Sequence, residues 1–482
     1  MNDVIVLGSG LGGLIAGTFL AKRDFSVLLL KESGYRPFYE NKGFRFFPFS
    51  NFSERHPDLV LLNKLSQGLD LSLSRLVGKG KDSPEREQQV PFQVILPKGR
   101  IDISSGRERF RLELEREFPD EVAEIESFYD EIDRLCQLER EAETREGPSK
   151  FFLLRTPSAV KRLFSMDPFK GRLGKRVSLF SREFKTFINL QLISQGNLFS
   201  NRFSMEAVAH LLSRRGTNDQ TGELTSRVGL ESVRETILKD FSQSGGCVEE
   251  IETMEGFEAK RGRGFILSAG DRGVFHCRFL ILNSPLQGLS NLLGSRETRV
   301  IRLAQRIQPR CLILPLFLGI REKGVPVGMK DLLVSLFDLE RPFEGGNLLF
   351  LALSPRGDET QAPEGRRALI AESLLSPGKK DLHSTKDHQK GVMDHLLWLF
   401  PFLEDHIECA DWGWGEEQMT RWSYPYFFYE TGSRFHWREG VIPTRISKNL
   451  YLVGKENFPH LGLEGETLSG LMVGQQIQEE RS

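Results

Sequence analysis

The sequence predicts an α/β fold in which a parallel sheet, covered on both faces, is joined to a second, antiparallel sheet and a helical lid. Three observations carry this expectation. Residues 3–7 form a short apolar run, 8–13 a glycine-rich turn, 14–22 a helical stretch with small residues at Ala16, Gly17 and Ala21, and 27–30 a second apolar run. Uninterrupted apolar strands flanking a helix are what a βαβ unit buried on both sides requires. Between residues 311 and 375, apolar runs (311–319, 348–353, 368–374) alternate with polar loops rich in Gly, Pro and Asp, which reads as strands and turns. From Arg107 to Glu146 the chain is dense in charge, yet Phe110, Leu114, Phe118, Ile125, Phe128 and Ile132 recur at helical spacing, which predicts amphipathic helices broken at Pro119.

The other elements follow in chain order. Residues 151–190 carry nine Lys or Arg against Asp167 and Glu183, interleaved with seven Phe. Residues 228–241 read as a helix, Gly245-Gly246 as a turn, and the segments up to Asn283 as a β-ribbon ending in a strand over 279–282. A polar loop is expected over 376–391. A buried strand over 449–453 precedes a glycine-rich turn and a closing helix.

Composition narrows the function. At 482 residues the chain exceeds the ~100–200 of one compact domain. A net charge of −1 provides no global field for nucleic acid. The five cysteines are odd in number, far apart and free of C-x-x-C, which argues against a disulfide framework and a zinc site and fits a reducing cytoplasm. The histidines show no ligand spacing, so no metal is expected. No apolar run approaches the ~20 residues of a membrane span, and no basic region precedes the first strand as in a secretory signal. The 36 Phe against 7 Tyr suit a greasy interior or ligand tunnel as well as a Phe-rich core.

Gly8-Ser9-Gly10-Leu11-Gly12-Gly13 is G-x-G-x-x-G between a strand and a helix. Gly8 permits a tight turn, Gly10 lets backbone approach a pyrophosphate, Gly13 lets helix touch strand, and free N–H groups at the helix start attract the anion. The turn is therefore expected to belong to a Rossmann-like dinucleotide-binding domain.

The opening at 3–14, Asp-Val-Ile-Val-Leu-Gly-Ser-Gly-Leu-Gly-Gly-Leu, resembles that of the FAD-dependent flavin amine oxidase and phytoene desaturase superfamily. The resemblance continues in Pro97-Lys-Gly-Arg-Ile-Asp-Ile, Ala352-Leu-Ser-Pro, Ala362-Pro-Glu-Gly365 and Asn449-Leu-Tyr-Leu-Val-Gly454, with Gly462-Leu463 and Leu468-Ser-Gly470 following. It implies a Rossmann-like FAD-binding domain from residues 1–75, 225–290 and 440–482. It also implies a discontinuous substrate domain from 90–224 and 295–439, with a helical lid over 106–222. Beyond Ser9, Leu11 and the motif glycines, it places Met254 against adenine and Gly454, Gly462 and Leu463 at the carboxy-terminal flavin motif. Two departures stand out. The family's ribose-binding Glu falls on Lys31, with Glu32 one step later, and its Asp after the strand glycine falls on Lys455, with Glu456 one step later. Adjacent side chains point differently, so either a small backbone shift restores the acids or two ammonium groups face the phosphates.

By the same resemblance the closing helix points its N-terminus at the flavin, and Glu464 and Glu466 are expected to cap it facing solvent. The stretch 151–190 falls at the family's lid. Phe164, Phe169, Phe180, Phe184 and Phe187, with Lys161, Arg162, Arg172, Lys175 and Arg176, suit either docking on an anionic membrane surface or a packed lid with a solvated basic face. Residues 424–429, Tyr-Pro-Tyr-Phe-Phe-Tyr, suit an aromatic wall over a flavin or a core strand. His436 and His460 lie near the same end. The implied function is FAD-dependent desaturation or isomerisation, by hydride transfer, of a large apolar isoprenoid or carotenoid-like substrate. The site is cytoplasmic or peripheral on the inner membrane face, and no catalytic residue is named. A non-catalytic isoprenoid or lipid binder on the same scaffold and a flavin amine oxidase are the alternatives.

Overall fold

The computed structural model describes residues 2–34, 37–55, 59–77, 92–103, 107–146, 179–199, 205–213, 230–252, 254–260, 264–270, 272–293, 298–376, 382–418, 426–431 and 440–481. In the first sheet, β1 (Asn2–Leu7) runs parallel to β2 (Val27–Glu32) on one side and β10 (Gly273–Leu282) on the other, with Leu7 level with Leu30 and Leu282. Beyond them lie β7 (Cys247–Ile251), β18 (Leu450–Leu452) and, antiparallel at the edge, β17 (Arg445–Ser447). Val4 and Val6 pack under the first helix, Leu11–Ala21, while Ile5 and Leu7 face the opposite core. All four are fully buried, which is why residues 4–7 carry no polar side chain, while Asn2 and Asp3 at the strand's start are only half-buried. The expected ribbon is present as β8 (Gly256–Lys260), β9 (Gly264–Ala269) and the outer half of β10, whose inner half joins the parallel sheet.

The first helix is flanked by Leu230–Gln243 and by the closing helix Leu463–Arg481. The closing helix approaches so tightly that a Cβ at Gly470 would lie 2.5 Å from the Gly12 carbonyl and 3.1 Å from Ile15 Cβ. Ile15 is fully buried there, so Ile15→Val should cost about 1 kcal/mol. The check is a lower denaturant midpoint with an unchanged slope.

The second sheet is built on the long β11 (Ile307–Arg321), which pairs with β14 (Arg366–Leu375) along one edge. β15 (Ile407–Asp411) and β16 (Phe427–Thr431) share its other edge. β13 (Leu348–Leu353), β12 (Leu332–Leu336), β5 (Phe92–Leu96) and β6 (Gly99–Ile103) complete it. Its pairs are antiparallel as expected except β12 with β5, which run parallel because β5 arrives from the distant amino-terminal half and not through a hairpin. A small hairpin, β3 (Tyr39–Asn41) with β4 (Phe44–Phe46), lays Phe46 on Phe317 with ring centroids 5.0 Å apart.

One expectation is corrected here. Most of the supposed polar loop 376–391 belongs to the helix Leu382–Leu399, which covers the outer face of the second sheet through Val392, Leu396 and Leu399. Its buried stripe is disguised by histidines. His388 Nε2 lies 2.9 Å from Ser373 Oγ, and His395 bonds Ser335 Oγ and the Gly346 carbonyl at 2.8 Å each. Burial pushes the His395 imidazole down to about 4, so it packs as a neutral ring.

Arg107–Glu117 and Val122–Glu146 are helices separated at Pro119, as expected. Arg182–Gln195 lies against them, its start capped by Ser181 Oγ accepting from Phe184 N–H. Phe184 and Phe187 are fully buried beside Phe118 and Phe128. Phe180 is buried too, so this end of the stretch 151–190 is packed core. Phe164, Phe169, Lys161, Arg162, Arg172, Lys175 and Arg176 lie outside the described residues. Among the described residues no helix is long and apolar enough to cross a membrane.

Candidate functional site

The chain leaves β1 through Gly8, at φ 111°. Its N–H donates to the Leu30 carbonyl at 2.8 Å, while Asn283 N–H donates to Leu7 and Val453 N–H to Leu282. These bonds hold the ends of β1, β10 and β18 level and open a crevice at the carboxyl edge of the sheet, where open α/β sheets take their ligands. The glycine turn forms one wall, residues 283–285 and 454–456 another, and Tyr429 and Glu466 close it.

The first helix starts at Leu11 with no capping side chain and no acid in its first turn. Its positive end is met by a distant carboxylate instead. Gly12 N–H donates to Glu466 Oε1 at 3.1 Å, and Glu466 is only 5% exposed. The same oxygen lies 2.9 Å from where a Cβ on Gly10 would sit, and the Asn283 amide lies 2.8 Å from that point. The remaining cavity is about 60 Å³, against roughly 300–1,000 Å³ for a pocket that holds an organic ligand. Among the described residues, the diphosphate of the FAD expected from the sequence therefore has no room at this turn with the side chains as they stand. The backbone amides of a diphosphate seat are present, and Glu466 and Asn283 fill it.

The remaining sequence-derived residues divide between the crevice and its surroundings. Ser9, Gly10, Gly454, Lys455 and Glu456 line the crevice, and Gly12 and Gly13 back it. Leu11 and Leu463 are buried core side chains, as is Met254. Gly462 has φ 55°, and a Cβ there would lie 2.3 Å from the Gln195 carbonyl. Glu32 is buried, and Lys31, on the opposite face of β2, pairs with Glu250 at 2.6 Å. Lys455 pairs with Glu54 at 2.7 Å and donates to Ser50 Oγ at 2.8 Å. Of the two ammonium groups, Lys455 lines the crevice while paired with Glu54, and Lys31 is paired with Glu250 on the face of β2 opposite Glu32.

Glu456 accepts from Leu286 N–H at 2.8 Å and from the Tyr429 hydroxyl, and burial pushes its carboxyl up to about 7. Tyr429 is raised well above its ordinary value, mainly by burial. Along β16 the side chains alternate: Tyr429 lines the crevice while Phe428 stacks on Phe350 at 5.6 Å, so the aromatic strand is wall and core at once. Tyr424 and His436 lie outside the described residues, and His460 is fully buried.

Glu464 and Glu466 correct a further expectation. Neither caps toward solvent: Glu464 is buried between Lys64, at 2.6 Å, and His210, at 2.8 Å, and Glu466 reaches the first helix.

Sequence reasoning missed a polar nest behind the crevice. Ser50, Asn51 and Glu54 are buried and bonded to one another and to Asn197. Glu372 accepts from Phe49 N–H at 3.1 Å, and burial pushes it up to about 8. The half-buried Arg55, which donates to the Phe47 carbonyl at 3.2 Å, is lowered to about 10 by loss of solvation. The signal was available as Ser50-Asn-Phe-Ser-Glu-Arg55, a polar cluster set within a Phe-rich segment.

No family model matches the chain. Along nearly its full length it is 33% identical to a prolycopene isomerase of Arabidopsis thaliana, over 99% of this chain and 82% of that protein. It is 23% identical to the 4,4'-diapolycopene oxygenase of a Methylomonas species, over 98% and 97%. Among solved structures, an oxidoreductase from Methanosarcina mazei superposes with a TM-score of 0.61 at 14% identity, over 98% of this chain and all of that one. Cyclohexylamine oxidase from Brevibacterium oxydans gives 0.58 at 15%, over 100% and 99%, and a Rab GDI from Plasmodium falciparum 0.55 at 11%, over 99% and 98%. At such identities these likenesses show the fold alone. Together with the glycine turn at the carboxyl edge of the sheet, the full-length match to the Arabidopsis protein means that this chain belongs to the prolycopene isomerase family, the carotenoid desaturase-like branch of the FAD-dependent superfamily.

Proposed function

We propose that the chain is an oxidoreductase that desaturates or isomerises a long apolar polyene of the carotenoid type, with FAD as its coenzyme. The observation that carries this reading is the match at 33% identity, over nearly the whole chain, to a prolycopene isomerase. The packed aromatic layer facing the inner core supports an apolar substrate. Phe350 stacks on Phe428 at 5.6 Å and meets Phe52 edge-on at 6.0 Å. Rings without hydroxyls exclude water and leave no polar group unpaired against a hydrocarbon. In this reading residues 1–75, 225–290 and 440–482 form the coenzyme unit, and 90–224 with 295–439 the substrate unit. Glu456, raised to about 7, holds a proton at the crevice floor beside Tyr429 for part of its population near neutrality.

The test is reconstitution. Protein held at saturating FAD should acquire a protein-bound flavin absorption band, and added prolycopene should change its polyene spectrum. Protein that stays colourless and leaves the polyene unchanged, while still binding it, would replace this reading with the non-catalytic isoprenoid binder.

A further inference from the structure

We propose that Glu466 is an internal anion seated in the diphosphate site, so that coenzyme and carboxylate compete for the same amides and the coenzyme enters only when Glu466 swings out. This rests on the FAD reading above and adds a regulatory element to it. Three observations support it independently of the sequence motif. The first helix has neither a capping side chain nor an acid of its own in its first turn, so its positive end requires an anion from elsewhere. That anion is Glu466, from the closing helix, whose carboxylate accepts from Gly12 N–H at 3.1 Å while almost fully buried. Finally, the crevice beside it holds polar atoms that the closed arrangement leaves unsatisfied. Asn283 Oδ1 and Ser284 Oγ have no hydrogen-bond partner among the described residues, although Asn283 is 8% and Ser284 6% exposed. Buried polar atoms are seldom left so, and these two line the cavity into which Glu466 projects.

The exchange requires no separation of the helices. The closing helix is held to the first by the backbone approach of Gly470 to Gly12, so the seat is cleared by side-chain rotation, of Glu466 from the amides and of Asn283 from beside Gly10. The carboxylate is tethered and always at high local concentration, whereas the coenzyme must arrive from solution. A tethered competitor weakens apparent affinity by the fraction of time it holds the seat.

Glu466→Ala and Glu466→Gln, compared with the full-length wild-type chain, test this by equilibrium dialysis against FAD and by thermal unfolding with and without FAD. Glu466→Ala should bind FAD at least about tenfold more tightly than wild type, as expected when a buried charge-assisted bond no longer competes. Its coenzyme-free form should melt lower than wild type, and its coenzyme-induced rise should be larger. Glu466→Gln keeps the shape without the charge, and it should gain less than the alanine variant but measurably. It decides the matter if the alanine variant fails to fold. Equal dissociation constants for wild type and the folded variants would overturn the competition and leave the flavoprotein reading intact. Absence of FAD binding in all of them would overturn the flavoprotein reading, and the competition with it.

Discussion

Gly8→Ala is expected to cost at least about 3 kcal/mol of stability, enough to deplete the folded chain at physiological temperature. Two terms add. At φ 111° an L side chain is strained whatever the space around it. The new methyl would also lie 2.1 Å from the Asn283 carbonyl oxygen and 2.8 Å from Ser284 Oγ. Neither side can yield, since Asn283 N–H is tied to Leu7 at 2.7 Å and Gly8 N–H to Leu30 at 2.8 Å. Gly245→Ala makes the control: φ is 88° but nothing lies within 4 Å of the added methyl, so only backbone strain of about 1–2 kcal/mol remains. Denaturant midpoints of the two variants check the difference. Equal losses would mean that the turn does not press on β10 as described.

The second large effect is on pH. Glu372 and Glu456 are raised by burial to about 8 and about 7, from about 4.3 in an unfolded chain. Raised carboxylates hold their protons in the folded state after the unfolded chain has released them. Their contribution is complete below about pH 4.3 and is lost as pH climbs through the folded values, at about 1.4 kcal/mol per pH unit per group. His395 opposes them: its folded value, about 4, lies below the unfolded ~6.5, so its contribution is present above pH 6.5 and lost as pH falls toward 4. The two carboxylates are therefore seen most cleanly from pH 6.5 to 8, where stability should decline by about 2–3 kcal/mol. Glu372→Gln, which can still accept from Phe49 N–H, should remove most of that slope and melt above wild type at pH 8. A variant profile parallel to wild type would show that Glu372 is already ionised at neutrality.

The parts of this molecule legible in its sequence are those governed by neighbours in sequence. The turn at 8–13, the apolar strands around it and the break at Pro119 obey local rules of backbone and periodicity. What escaped depends on partners far along the chain. Nothing near Lys31 announces Glu250, and nothing near Lys455 announces Glu54. From the sequence alone Glu464 and Glu466 read as solvent caps, because acids in a first helical turn usually are. Glu464 is buried against Lys64 and His210, and Glu466 against Gly12, partners that no local pattern encodes. The helix Leu382–Leu399 was hidden for a related reason: its buried face includes His388 and His395, made tolerable by serines on two different strands. In the sequence Asn283 is only the end of a strand, yet its amide occupies the space that Gly10 and Gly13 leave open.

The bond from Gly12 to Glu466 joins positions 454 residues apart. At ribosomal speeds of about 5–20 residues per second, the opening strand and its helix wait roughly 20–90 s for the segment that covers them. Throughout that interval Val4, Ile5, Val6 and the apolar side of the first helix are exposed on a nascent chain, with only part of their sheet beside them. High sequence separation between partners slows folding and lengthens exposure to aggregation. The amino-terminal unit, complete only once the last segment has arrived, is therefore the part of this chain that stays longest open to misassembly during synthesis.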